Sequence, residues 1–236
     1  MYLLPTVTAV EESRKAADVA VLPVGSYEQH GPHLPLSTDS AIAHIIADRL
    51  ASEYGLLQLP PITVGCSHEH EGLHVGTVSV SARTLYGVIV DIHESLRRSG
   101  IEKLIVISGH GGNYVLMNVI QELNVNQRRV LFFPERESVE TARRRSGCVT
   151  TASEDMHAGE WETSILLGVA PELVRDGWQD ADHEANSRPD LLTTGLKAYT
   201  TSGVIGRPSA ATAAKGVAIL DSLADSFAAR LEVLRA

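Results

Sequence analysis

The chain has 236 residues, 44% of them hydrophobic, and a formal net charge of −9. That size and hydrophobic share fit one large α/β domain over residues 1–236 and exclude a disordered chain. A sequence pI near 5.5 argues against a nucleic-acid backbone as partner, and no apolar stretch is long enough to span a bilayer. No basic-then-apolar leader is visible, so a cytoplasmic location is expected. Cys66 and Cys148 form no metal-ligand spacing and do not indicate an oxidised scaffold.

In chain order, residues 18–24 predict a strand. Asp39 to Tyr54 predicts a helix, capped by Thr38 or Asp39, with Ile42, Ile45, Ile46 and Leu50 at helical spacing. Residues 57–64 look extended, and Ser81 to Ser99 predicts a second amphipathic helix ended by Gly100. Lys103 to Ser108 is a near-continuous apolar run, typical of a strand covered on both faces. Gly109 to Asn126 opens with glycines and turns helical, and Arg129 to Phe133 is another strand. Arg143-Arg144-Arg145 reads as a solvated helix face. His157 to Val169 and Ala210 to Arg235 close the set as helices. Residues 171–209 read as an irregular excursion, a lid or a subunit contact. The alternation implies βαβ units and a mostly parallel sheet with helices on both sides.

The reactive residues follow strand ends, where open parallel sheets bind ligands. Glu28 and His30 are two apart, so an extended chain sends both side chains to one face. Gly31, Pro32 and Pro35 bend the backbone and let Asp39 return to that face. Carboxylates and imidazoles converging there outline a metal site. Ser67-His68-Glu69-His70 follows the second extended segment, with Glu69 and His70 as substrate contacts or groups that orient ligands. Ser108-Gly109-His110-Gly111-Gly112-Asn113 follows the next strand; His110 reads as a ligand, and glycines there free backbone N–H groups for an anion. His33 is a candidate pocket residue, whereas His44 and His93 read as surface or packing residues.

Asp155-Met156-His157-Ala158-Gly159-Glu160-Trp161-Glu162 packs a histidine and three acids around a helix start. Asp155 reads as a partner of the helix dipole. With a helix already running at His157, Glu160 shares its face and spacing favours Glu160. With a later start, Glu162 could point into the site.

The run from Gly25-Ser26 through Glu28-Gln29-His30-Gly31-Pro32-His33-Leu34-Pro35-Leu36 to Thr38-Asp39 resembles the creatininase (creatinine amidohydrolase) family. So do Ser67-x-Glu69-His70, Gly109-His110-Gly111-Gly112-Asn113 and His157-Ala158-Gly159-x-x-Glu162-Thr163-Ser164, in that order. Gly112 stands where creatininase itself has Glu, and Ser153 where it has Trp. In this the chain is similar to branches that deformylate a formamidopyrimidine or trim the mycofactocin precursor peptide.

The resemblance implies a three-layer α/β/α sandwich and two divalent metal ions, Zn, Mn or Fe. Glu28, Asp39 and His110 would hold one metal. His30, Asp39 and Glu162 would hold the other, with Asp39 bridging. It thus selects Glu162 over Glu160. His157 would transfer the proton, and His70 or the amides of Gly111 and Gly112 would meet the oxyanion, with Asn113 in the substrate-binding turn. The implied activity is hydrolysis of an amide, cyclic amide or formamide C–N bond in a small molecule by a metal-activated water. The alternative is a metallopeptidase trimming a short precursor peptide, and the non-enzymatic alternative a metal-stabilised assembly protein. A homo-oligomer, a hexamer, is also implied.

Overall fold

The computed structural model describes residues 4–236. Four parallel strands, β1 (Val19–Val24), β2 (Leu57–Gln58), β3 (Lys103–Ser108) and β4 (Val130–Phe133), form a sheet in the order β2-β1-β3-β4. Strand alternation divides their side chains between two cores. Val19, Val21, Ile105, Ile107, Leu131 and Phe133 face one layer of helices. That layer contains α2 (Thr38–Tyr54), α5 (Arg136–Ser146), α6 (Glu160–Val169) and α8 (Ala213–Arg235). Ala20, Leu22, Val24, Leu104, Val106 and Val130 face α3 (Ala82–Arg98) and α4 (Val115–Leu123). The result is the expected three-layer sandwich with an all-parallel sheet. Fully burying each large side chain stabilises it by about 1.5–3 kcal/mol.

The register places the chemistry. β1 and β3 pair from Val19↔Lys103 to Val24↔Ser108, so both chains leave the sheet side by side. The next residues are Gly25 and Gly109. A Cβ at Gly25 would overlap Ser40 N, and one at Gly109 would overlap the Asp39 carbonyl oxygen. Only glycines let the first turn of α2 press against both strand exits, and that turn carries Asp39.

Several elements depart from expectation. Of residues 57–64 only Leu57–Gln58 is strand, although Ile62 still bridges Val24. α2 is preceded by Ser37, which makes no side-chain capping bond. A short helix, α1 (Ala9–Lys15), begins with a capping box between Thr8 and Glu11, a signal visible in the sequence. α6 starts at Glu160 and not at His157, because the His157 backbone forms a bridge with Ile205 instead (N–H to Ile205 O 2.9 Å, and the reverse bond 3.0 Å). Residues 171–209 contain short helical turns and α7 (Leu191–Thr194). Arg143 is corrected: Arg144 and Arg145 are exposed, but Arg143 is buried, pairs with Asp155 at 3.0 Å and lies 5.0 Å over the Trp161 ring. His44 and His93 are both buried packing residues. No helix among the described residues is long and apolar enough to cross a membrane.

Candidate metal centre

Glu28, His30, Asp39, His70, His110 and His157 converge beyond the ends of β1 and β3, each no more than 8% exposed. Asp39 lies at their middle. Its Oδ1 is 3.0 Å from His30 Nε2 and its Oδ2 is 3.2 Å from His110 Nδ1, so one carboxylate addresses two imidazoles. Glu28 Oε1 lies 3.2 Å from His110 Nδ1 and 3.2 Å from His70 Nε2. Glu162 Oε1 is 3.9 Å from His30 Nε2, while its Oε2 accepts the Ala158 N–H at 2.6 Å.

Backbone carbonyls set the ring tautomers. His30 Nδ1 donates to Glu28 O at 3.0 Å, and His110 Nε2 donates to Cys66 O at 3.0 Å. Each ring then presents its other nitrogen to the carboxylates, which is how ligating histidines are oriented. His157 Nε2 donates to Gln29 O at 2.6 Å, leaving Nδ1 inward, 3.8 Å from Glu28 Oε1.

The cluster fits cations. Both oxygens of Glu28 and Oδ2 of Asp39 are buried without a hydrogen-bond partner. Buried carboxylate oxygens without partners are costly unless something positive faces them. Three sets can each surround an ion: Glu28, His70 and His110; Glu28, His30 and His157; and His30, Asp39 and Glu162. The ligand chemistry is nitrogen and oxygen without thiolate, which suits borderline divalent ions.

Without cations the charges answer one another. Burial opposes charge on His30, yet Asp39, Glu162 and Glu28 outweigh it and raise the ring to about 10. His110 is raised well above its usual value against the same burial cost, by Glu28 and Asp39. Asp39 goes down despite burial, held by His30 and His110. Burial, with Asp39 beside it, pushes Glu162 up to about 7. Burial, with the charged rings of His110 and His30 beside it, pushes His70 down to about 3, and burial with His30 and His70 beside it holds His157 well below its usual value.

The remaining expected residues divide. Glu69 lies 3.6 Å from His110 Nε2 at the edge of the cluster. Gly111 is exposed and Gly112 half-buried in the same turn. Asn113 braces the turn, accepting Cys66 N–H at 2.8 Å and donating to Gly25 O at 3.1 Å. His33 is buried behind α6, with Nε2 3.2 Å from Thr163 Oγ1, and burial pushes it down to about 4. Glu160 points away from the cluster to Thr150 and Lys215. Asp155 caps α6 by accepting the N–H groups of Glu160 at 2.5 Å and Trp161 at 2.8 Å.

Gln29 is the residue that sequence reasoning passed over. Its Oε1 accepts Gly31 N–H at 3.1 Å, which fixes the amide. Its Nε2 then reaches His70 Nδ1 at 3.1 Å and Gly203 O at 3.3 Å. Strand alternation alone would send Gln29 away from Glu28 and His30, which is why the spacing passed it over.

The family model described as creatininase, creatinine amidohydrolase, matches residues 5–231. A mycofactocin precursor peptide peptidase from Mycobacterium ulcerans is 33% identical over 224 residues, covering 89% of this chain and 83% of that protein. A Mn form of creatininase has TM-score 0.79 and 25% identity, covering 96% of this chain and 95% of the other. A Zn-Zn type of a creatininase mutant gives TM-score 0.79 and 26% identity over the same shares. The family model spans nearly the whole chain, and this chain belongs to the creatininase family.

Proposed function

We propose that the protein is a divalent-metal-dependent amidohydrolase cleaving an amide, cyclic amide or formamide C–N bond of a small molecule. The observation that supports it is Asp39, whose two buried oxygens face His30 and His110 separately. Glu28, Asp39 and His110 would hold one ion, and His30, Asp39 and Glu162 the other. The Mn and Zn-Zn creatininase structures support manganese or zinc in these places. When bound, such ions lower the pKa of a water from about 15.7 toward about 7 and polarise a carbonyl.

The chain's own groups do the rest. Glu28 and Asp39 fix the positions of charge, and His30 and His110 are held in one tautomer by Glu28 O and Cys66 O. His157 takes the proton of the attacking water at Nδ1 and returns it to the departing nitrogen, as general base and then acid. Its neutral state suits the first task. The burial of the cluster excludes bulk water and strengthens each interaction within it.

Metal-stripped protein should lose hydrolysis of a formamide or amide and regain it with Mn²⁺ or Zn²⁺. Full activity in His110→Ala, with full metal content by elemental analysis, would end this assignment.

A metallopeptidase is the second reading, favoured by the 33% identity to the mycobacterial peptidase. A homo-oligomer, hexameric by family resemblance, belongs to the same proposal; sedimentation of the metal-loaded protein tests it.

A further inference from the structure

Gln29 stands between two buried rings, His70 and His157, whose centroids are 4.4 Å apart. Its backbone carbonyl lies 2.6 Å from His157 Nε2, so that nitrogen carries the hydrogen and the bare Nδ1 turns inward. Its side chain does the opposite to His70. The amide is fixed at both ends, because Oε1 accepts Gly31 N–H at 3.1 Å and Nε2 donates to Gly203 O at 3.3 Å. The second hydrogen of Nε2 serves His70 Nδ1 at 3.1 Å. His157 Nε2, 3.2 Å from the same amide nitrogen, cannot take that hydrogen, because it is already a donor. A ring nitrogen facing an amide donor must offer a lone pair, so the hydrogen of the His70 ring sits on Nε2.

One residue thereby gives two neighbouring rings opposite tautomers. Both inward atoms face the same oxygen: Glu28 Oε1 is 3.2 Å from His70 Nε2 and 3.8 Å from His157 Nδ1. Glu28 Oε1 nevertheless accepts no hydrogen bond, so the Nε2–H of His70 is aimed beside it and stays unspent. His30 and His110 differ, because their hydrogens are held by Glu28 O and Cys66 O and their lone pairs face the carboxylates. A nitrogen that carries a hydrogen has no lone pair for a cation. Glu28, His70 and His110 are close enough to surround an ion, but the tautomer takes His70 out of the ligand set. Gly203, within the excursion of residues 171–209, completes the arrangement, since a Cβ there would overlap Gln29 Oε1.

We propose that His70 is a catalytic hydrogen-bond donor of this centre and not a metal ligand, with Gln29 as the positioning residue that makes it one. This rests on the amidohydrolase reading and deepens it. As the carbonyl carbon takes up the attacking oxygen, the carbonyl oxygen gains charge. His70 Nε2–H donates to that oxygen and keeps its hydrogen throughout. His157, with its bare Nδ1, takes the proton of the water.

The test uses the zinc-loaded full chain with ¹⁵N-labelled histidine, and N-propylformamide as substrate. Long-range ¹H–¹⁵N spectra distinguish protonated, bare and zinc-bound ring nitrogens, and the His70 signals are those lost in His70→Gln. His70 should carry its hydrogen on Nε2, with Nδ1 bare and no zinc on either nitrogen. Gln29→Met, which cannot donate, should move a share of that hydrogen to Nδ1 and lower kcat by about 10–100-fold. His70→Ala should lower kcat by about 10²–10³-fold with KM and zinc content unchanged, and His70→Gln, which keeps an N–H donor, should recover part of that loss. Zinc on His70, its hydrogen on Nδ1 in the unaltered chain, loss of zinc in His70→Ala, or unchanged kcat in that variant would overturn the proposal. The spectra of the unaltered chain keep the test available if the variants fold poorly. The expected tautomer without any hydrolysis by the unaltered chain would instead defeat the amidohydrolase reading and leave His70 standing as a donor and not a ligand.

Discussion

Glu28 and Glu160 are both fully buried carboxylates, and their surroundings could hardly differ more. Glu160 accepts the backbone N–H groups of Val149 and Thr150 at 3.0 Å, Thr150 Oγ1–H at 2.6 Å and Lys215 Nζ at 2.5 Å. Those bonds outweigh its burial and hold its pKa below the usual value. Glu28 has no hydrogen bond to either oxygen. One carboxylate is complete within the chain and ties α8 to the loop before α6. The other is complete only with something the chain does not supply. Satisfaction, and not burial, separates a structural acid from a functional one.

Glu28→Gln breaks that contrast most severely. It should abolish metal uptake and lower hydrolysis by more than about 100-fold, beyond the loss typical of an outer residue. In chelator the same variant should melt near the unaltered protein, because the carboxylate it removes accepts no hydrogen bond. Glu160→Gln should do the reverse, keeping the metal-binding groups but losing about 3–5 kcal/mol in denaturant titration, the cost of breaking a buried pair. If Glu28→Gln instead destabilised the metal-free chain as much as Glu160→Gln, the two carboxylates would be alike and the comparison would collapse.

His157→Ala sharpens the division within the cluster. Metal content by elemental analysis should be unchanged while kcat falls about 10²–10⁴-fold. Gln29→Ala acts one step further out, through His70. A loss of about 10–100-fold in metal affinity or turnover is expected, and no loss would show that the His70 tautomer is immaterial.

A smaller effect concerns pH. His30 is raised from 6.5 to about 10, so the metal-free fold holds a proton there at neutral pH. That proton stabilises the metal-free fold fully below pH 6.5 and progressively less toward pH 10. A cation must displace it, so apparent metal affinity should rise by about tenfold per pH unit between about pH 7 and about pH 8, as read by chelator competition. A flat profile would show that His30 is not a ligand.

Much of this was legible before any coordinates. Glu28, His30 and Asp39 could be placed together because strand period and the Gly31 and Pro32 bend are local properties. Spacing favoured Glu160 and only the family resemblance selected Glu162, because that choice depends on where α6 begins. The His157 bridge to Ile205 pulls three residues out of the helix, and no local pattern announces a partner so far along the chain. Arg143 escaped for the same reason. Its neighbours in sequence are solvated, and its inward turn answers to Asp155 and Trp161. Long-range pairing, invisible to periodicity, decides both.

Gly25 and Gly109 have a consequence for anyone wishing to retarget this catalyst. Mutant libraries that alter either should yield inactive proteins, because any added methyl collides with the start of α2. Libraries directed at His68, Tyr114 and Leu192 should stay soluble, since those side chains sit on turns and helix starts rather than on the sheet. The molecule separates what must stay still from what can be rewritten, and it does so with two hydrogens in place of side chains.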